Sequence, residues 1–367
     1  MHELKAVLAA AADLHARGAL PVLATVVDVK GSVYRRPGAH MLIAQGISPV
    51  GSISGGCLER DVAERASELL QGGPPQLLTY DSLSGEDVVW GLGLGCNGRV
   101  SILLEPLKDL APLLAFWQEC LAQRRPGVVA TVFASTGPLA PGARSYYPGG
   151  QSRPDFPPES TDDAARALEK RQTTVKHYGD CSLLLELVAP PTRLVICGAG
   201  PDAIPVVRLA AELGWEVTII DKRPGYATRE FFPEAHEIIV GSTLPADLKA
   251  DDAAVVMAHH FQDDREFLRQ LLNTSVGYLG VLGPRARTAS FLEQLGMNVG
   301  LGPHLKTSAE REPPGLRRIY APVGLDIGAE TPEAIALSIV AEIRAVLAGR
   351  PAGFLRERSG PIHPAVE

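Results

Sequence analysis

Two cysteines set among glycines are the residues of this chain whose type and spacing best suit chemistry. Cys57 closes the run Ser54-Gly55-Gly56-Cys57, at the start of a stretch in which Leu58, Val62, Ala66 and Leu69 share one helical stripe. A thiol in the first turn of that helix would feel the positive end of its dipole, which favours the thiolate, the form that attacks electrophiles and ligates metals. Gly55 and Gly56 leave room for a ligand beside it. A small core cysteine in a tight turn is the alternative reading, and the two stay open here. Cys96 lies in Gly91-Leu92-Gly93-Leu94-Gly95-Cys96-Asn97-Gly98. Such a loop brings backbone N–H groups and one sulfur to a single ligand. A packing cysteine would not need Gly95 and Gly98 around it, although a bulged start of a strand is the plainer reading. Cys57 and Cys96 are therefore the candidate catalytic residues.

The second constellation is Gly198-Ala199-Gly200-Pro201-Asp202-Ala203, which fits the dinucleotide fingerprint G-x-G-x-x-G/A. Gly198 permits the tight turn and Gly200 the approach of backbone to a phosphate, while Ala203 keeps helix and strand close. Asp221 ends the next strand about 20 residues on, where a carboxylate can hold ribose hydroxyls. Asp202 puts a negative charge beside the phosphate position, and Pro201 removes one N–H. His259-His260 follows the apolar run AAVVMA, and the carboxyl ends of parallel strands line the ligand crevice of such sheets. His260 is taken as the residue facing it. Asp326, in the loop Tyr320–Gly328 before a helix, faces a ligand or caps a turn. Gly55, Gly56, Gly95, Gly98, Gly198, Gly200, Asp221, His260 and Asp326 are the candidate cofactor-binding residues. Cys120, Cys181 and Cys197 lie in periodic apolar stretches and read as structural.

These residues need two scaffolds. Ahead of them come a helix over 3–17, strands at 20–29 and 40–44, a helix after Cys57, and strands at 76–80 and 99–105. A helix at 108–123 and a strand at 128–133 follow. Residues 134–165 are rich in Pro, Gly and Ser and read as a loop, with structure resuming near 166 and a strand at 182–188. From Arg193 onward strands and helices alternate: a βαβ unit ending at Asp221, then strand 253–258 with helix 264–272, and strand 277–282 with helix 286–295. Asp263 or Asp264 is expected to cap the helix after the histidines. Thr331-Pro332-Glu333 has the composition of a helix start. The fold class is α/β. An N-terminal α/β domain over 1–190 precedes a Rossmann-like doubly wound parallel-sheet domain over 191–350, with a tail at 351–367.

Composition removes several classes. The net charge of −7 and the lack of a long basic run argue against nucleic acid as a partner. No apolar run reaches the ~18 residues of a membrane span, and the N-terminus lacks the layout of a signal peptide. Five scattered cysteines without a CxxC pair give neither a zinc site nor a disulfide framework. A reduced, cytoplasmic protein is the expectation.

Several stretches in register resemble the xanthine dehydrogenase accessory proteins, the XdhC/CoxI family. They are GSVYRRPGAHMLI with GSISGGCLE, GLGLGCNGRVSILLE, the Rossmann opening through DKRPGYATREFFPEAHEII, HHFQDDREFLRQLL with YLGVLGPRARTASFL, and APVGLDIGAETPEAIALSIVAEI. Pro201-Asp202 and Gly283-Pro284-Arg285-Ala286 depart from the family's usual Gly-His and Gly-Ser-Arg-Arg. The resemblance implies a molybdenum cofactor chaperone or insertase that also assists sulfuration. It would serve a molybdenum hydroxylase of the xanthine dehydrogenase or CO dehydrogenase type. The implied cargo is molybdopterin or its dinucleotide form. The implied partners are a second copy of the chain, a cysteine desulfurase and the large subunit of the hydroxylase. The family's cysteine loops map onto Cys57 and Cys96, with Cys96 as the metal-binding sulfur, and its Rossmann glycines onto Gly198 and Gly200. Cysteine suits a soft metal centre, and a helix start suits a phosphate. An NAD(P)-dependent oxidoreductase using Asp221 and His260 is the alternative reading.

Overall fold

The computed structural model of the chain describes residues 2–81, 98–149, 153–297 and 316–359. Its contacts divide the chain into two units, Met1–Pro190 and Pro191–Ile362.

Unit 1 opens with helix α1 (His2–Ala16), whose Leu4, Val7, Ala11 and Leu14 recur at helical spacing and are all buried. Strands β1 (Val22–Gly31), β2 (His40–Ile43), β3 (Val50–Gly51), β4 (Gln76–Asp81) and β5 (Gly98–Pro106) form one sheet in the order β3-β2-β1-β5-β4. Every described pairing in it is antiparallel. The first six residues of β1 are buried without alternation because both faces are covered. Leu23 and Leu42 pack with α1 and with Trp117 of helix α3 (Ala111–Ala122). On the other face Val22, Ala24, Val26 and Ile102 pack with Val62, Ala66 and Leu69 of helix α2 (Glu59–Leu69).

A second antiparallel sheet, β7-β6-β9-β8, joins β6 (Gly127–Ser135), β7 (Arg144–Tyr147), β8 (Thr174–Tyr178) and β9 (Cys181–Val188). Here the reading of 134–165 as a loop needs correction. β6 runs on to Ser135, Arg144–Tyr147 pairs with β6, and helix α4 spans Glu159–Glu169. The β-forming Tyr146 and Tyr147 outweigh the turn residues around them. Pro157-Pro158 sits ahead of α4, where the missing N–H groups cost little, and Glu159 and Asp162 meet the positive end of its dipole.

Unit 2 carries β10 (Arg193–Cys197), β11 (Glu216–Asp221), β12 (Glu237–Val240), β13 (Ala253–Val256), β14 (Tyr278–Val281) and β15 (Ile319–Tyr320). The sheet order is β12-β11-β10-β13-β14-β15 and every described pairing is parallel, the doubly wound arrangement expected from the alternation of elements. Alternate residues of β10 serve opposite faces. Leu194 and Ile196 pack with helices α5 (Ala203–Glu212) and α8 (Pro332–Leu347), while Val195 and Cys197 pack with α6 (Phe261–Leu272) and α7 (Arg285–Gln294). At the start of α8 the Thr331 side chain accepts the N–H of Ala334 at 3.3 Å, with Pro332 next in line, as the sequence predicts.

Candidate functional site

In unit 1 the exposed thiol of Cys57 stands at the edge of a cavity of about 30 Å³, whose lining includes Val33, Tyr34, Arg35, Ser54, Tyr80 and Val100. The thiol does not ride in the first helical turn. α2 begins at Glu59 with Leu58 as its N-cap, so Cys57 lies one residue ahead of the cap. The cause is local hydrogen bonding. Ser54 Oγ accepts the N–H groups of Gly56 at 3.2 Å and Leu58 at 3.1 Å, which draws residues 54–58 into a loop before the helix can start. Gly56 completes that loop with φ of +107°, where other residues are strained.

Glu59 anchors the loop from the helix side. Its carboxylate accepts the Ser52 hydroxyl and the Ser54 N–H, both at 2.9 Å, together with the Ser54 hydroxyl. Burial alone would push the Glu59 pKa up, but the bonds from Ser54 and Ser52 outweigh it and hold the group below its ordinary value. Tyr34 presents an exposed ring that packs on Gly55, where a Cβ would come within 3.5 Å of it. Tyr80 closes the floor. Burial, with Asp61 next to it, raises the Tyr80 pKa, so the phenol stays neutral and donates to Asp61 at 2.5 Å.

Gly98 opens β5 opposite Gly31, two residues before the cavity wall at Val33. A Cβ there would lie 2.6 Å from Lys30 O and 2.7 Å from Val33 Cγ1, so the position needs glycine. Gly95 and Cys96 lie outside the described residues. Cys120, Cys181 and Cys197 are buried, in keeping with a structural role.

In unit 2 the glycine turn follows β10. Gly198 has φ of +124°, and a Cβ on it would lie 2.5 Å from Met257 O, because β13 runs directly alongside. The Asp221 carboxylate turns inward toward this turn. Oδ2 accepts the Ala199 N–H at 2.8 Å and Arg223 Nη2 at 2.7 Å, while Oδ1 accepts the N–H and Nε of Arg223 at 2.9 Å each. Burial pushes the Asp221 pKa up, and the bonds from Arg223 and Ala199 more than reverse it.

Asp221 and exposed His260 border one cavity of about 170 Å³, with Lys222, Arg223, Ala258, Asp263 and Phe267. His260 Nδ1 lies 3.1 Å from Asp263 Oδ2, and Lys222 also pairs with Asp263. His260 itself is the N-cap residue of α6, so Asp263 and Asp264 sit in the first turn rather than at the cap. Asp326 is exposed and is absent from the described lining of this cavity. The structure thus gathers Gly198, Gly200, Asp221 and His260 at the strand ends, while Asp326 does not line their cavity.

Sequence reasoning misses Tyr34, Tyr80, Lys222 and Arg223 as site neighbours. The basic turn Tyr34-Arg35-Arg36 is the one visible signal for the first of them. Among the described residues, no group of three His, Cys, Asp or Glu could hold a metal ion, and no helix is long and apolar enough to cross a membrane.

Residues 14–81 match a family model described as the XdhC and CoxI family, and residues 194–343 match one described as the XdhC Rossmann domain. The chain is 33% identical over 330 residues to a protein of Bacillus subtilis (strain 168) named as a probable xanthine dehydrogenase subunit, covering 88% of this chain and 92% of that protein. It is 26% identical over 326 residues to "Molybdenum cofactor insertion chaperone PaoD" of Escherichia coli (strain K12), covering 89% of this chain and 83% of the relative. A crystal structure described as a xanthine dehydrogenase from Bacillus halodurans aligns with a TM-score of 0.73 and 31% identity, over 95% of this chain and 97% of that one.

Proposed function

The chain belongs to the XdhC and CoxI family, and from that premise we propose that it binds a molybdenum cofactor as cargo and delivers it to a molybdenum hydroxylase. The relative named a molybdenum cofactor insertion chaperone supports this reading. The observation that carries it is the Cys57 loop: an exposed thiol, unburdened by a disulfide, set beside two glycines and an exposed aromatic ring. A sulfur ligand suits a soft molybdenum centre. A flat ring beside it suits a pterin, which offers a π-face. One or two sulfurs, rather than a closed cage, let the cargo leave again.

In this reading Cys57 and Cys96 both contact the metal end of the cargo, with Cys96 as metal ligand and Gly55, Gly56, Gly95 and Gly98 giving it room. Cys96 precedes Gly98 by two residues, and Gly98 abuts Val33 of the Cys57 cavity. The receiving partner is the large subunit of a xanthine dehydrogenase or CO dehydrogenase-type enzyme. A cysteine desulfurase supplies the terminal sulfur, and the carrier acts as a homodimer. The nicotinamide alternative gains no support from the crevice, where both Asp221 oxygens already carry two hydrogen bonds each.

The test is metal and pterin analysis of the full chain purified from a molybdenum-replete host. Molybdenum and a fluorescent oxidised pterin are expected in equal amounts, and Cys57→Ser and Cys96→Ser are each expected to lower both. Retention of neither by the unaltered chain would end the proposal.

A further inference from the structure

The crevice at the carboxyl ends of β10, β11 and β13 is where a sheet of this order takes a dinucleotide, and the second glycine of the turn is where backbone meets the pyrophosphate. In this chain that glycine is covered. A Cβ built on Gly200 would fall 2.6 Å from Asp202 Oδ1 and 3.8 Å from His259 Cδ2, so both side chains lie over its bare face. The two are joined to each other, His259 Nε2 to Asp202 Oδ2, at 2.6 Å. Neither contact belongs to the cargo site of unit 1.

The arrangement is enforced from below. His259 holds φ of +58°, a left-handed conformation that a non-glycine residue keeps only where its surroundings demand it. Asp264 anchors the backbone just before it. Its buried carboxylate accepts the N–H of Ala258, the residue before His259, at 2.8 Å, and is gripped by Arg287 Nη2 at 2.5 Å. From this anchored backbone His259 reaches Asp202. At the ribose position, Asp221 has all four of its acceptor directions filled by Ala199 and Arg223. Both places where a dinucleotide would engage the turn are occupied by the chain's own groups.

We propose that Asp202, held by His259, is a specificity-determining residue that bars pyrophosphate-bearing nucleotides from the glycine turn of unit 2. A carboxylate fixed over the second glycine repels a diphosphate and fills its path. The crevice that remains is the cavity lined by Asp221, Lys222, Arg223 and His260. This assignment stands whether or not unit 1 carries a molybdenum cofactor.

The test uses the full chain, with NADH binding read by fluorescence and ADP binding by calorimetry. The unaltered chain is expected to show no saturation by either below about 1 mM. Asp202→Gly removes both charge and bulk and is expected to bind each at least about tenfold tighter. Asp202→Asn keeps the bulk without the charge and is expected to fall between. Thermal melts of each variant establish that it folds, and Asp202→Asn, nearly isosteric, serves should Asp202→Gly not. Micromolar binding of NADH or ADP by the unaltered chain would overturn the proposal. So would folded variants that bind neither nucleotide more tightly than it does.

Discussion

The carboxylate of Glu59 accepts both the backbone N–H and the hydroxyl of Ser54. That hydroxyl oxygen in turn accepts the N–H groups of Gly56 and Leu58, the two neighbours of Cys57 in sequence. The thiol's position is therefore set through a chain of hydrogen bonds of which Glu59 is the fixed end on the helix.

Removing that end should loosen the loop. Glu59→Ala deletes three accepted hydrogen bonds and is expected to destabilise unit 1 by roughly 1–3 kcal/mol. Glu59→Gln keeps one acceptor oxygen and should lose less. Urea unfolding followed by circular dichroism measures both. A Glu59→Ala midpoint equal to that of the unaltered chain would show that the loop holds itself.

The same carboxylate predicts a pH dependence. Burial works against the charged form of Glu59, yet the bonds from Ser54 and Ser52 keep its folded pKa below the ordinary 4.5. A depressed folded pKa means that the stabilisation is fully present above the unfolded value and is lost as pH falls through the folded one. The stability gap between the unaltered chain and Glu59→Gln should thus be constant from neutral pH down to about 5 and shrink below about 4. Unfolding midpoints at three pH values decide it, and a gap that widens on acidification would contradict the assignment.

What is legible in the sequence is local. The helical spacing of Leu4, Val7, Ala11 and Leu14, the alternation of strands and helices from Arg193, and the Thr331 cap each depend on residues a few positions apart. The Cys57 loop is visible for the same reason, although the helix starts only after Cys57 because Ser54 Oγ holds the N–H groups of Gly56 and Leu58. Contacts across the fold are not legible. Asp202 and His259 are 57 positions apart, and only the parallel pairing of β10 with β13 brings them together. A place at a strand end marks Asp221 as a ribose ligand, and although Arg223 stands only two positions on, its spacing does not say that its guanidinium turns back onto that carboxylate. Within 134–165, proline and glycine content hides a four-residue strand and the start of a helix.

Gly198 offers a test of the turn itself. Its φ of +124° strains any other residue, and an added Cβ would sit 2.5 Å from Met257 O and 2.6 Å from Ala258 N. These neighbours are backbone of the strand end and cannot swing aside. Gly198→Ala is expected to cost on the order of 2 kcal/mol or more. Gly225→Ala, where nothing lies within 4 Å of the added Cβ, is the control and should stay within about 0.5 kcal/mol. Equal losses at the two positions would remove the steric argument.

Thiol reactivity separates the four cysteines among the described residues. Cys57 is exposed, whereas Cys120, Cys181 and Cys197 are buried. Burial pushes the Cys120 thiol up to about 11 and raises Cys181 and Cys197 as well, which withholds the nucleophilic thiolate at neutral pH. Limited alkylation with iodoacetamide, followed by peptide mapping, is expected to label Cys57 at least about tenfold faster than those three. Loosening its loop with Glu59→Ala should change the Cys57 rate and leave the other three as they were, because they pack in apolar clusters separate from the one that holds Ile53 and Leu58. A Cys57 peptide that reacts no faster than the one holding Cys197 would mean that the thiol is shut away in solution, and the sulfur ligation proposed for it would fall with that result.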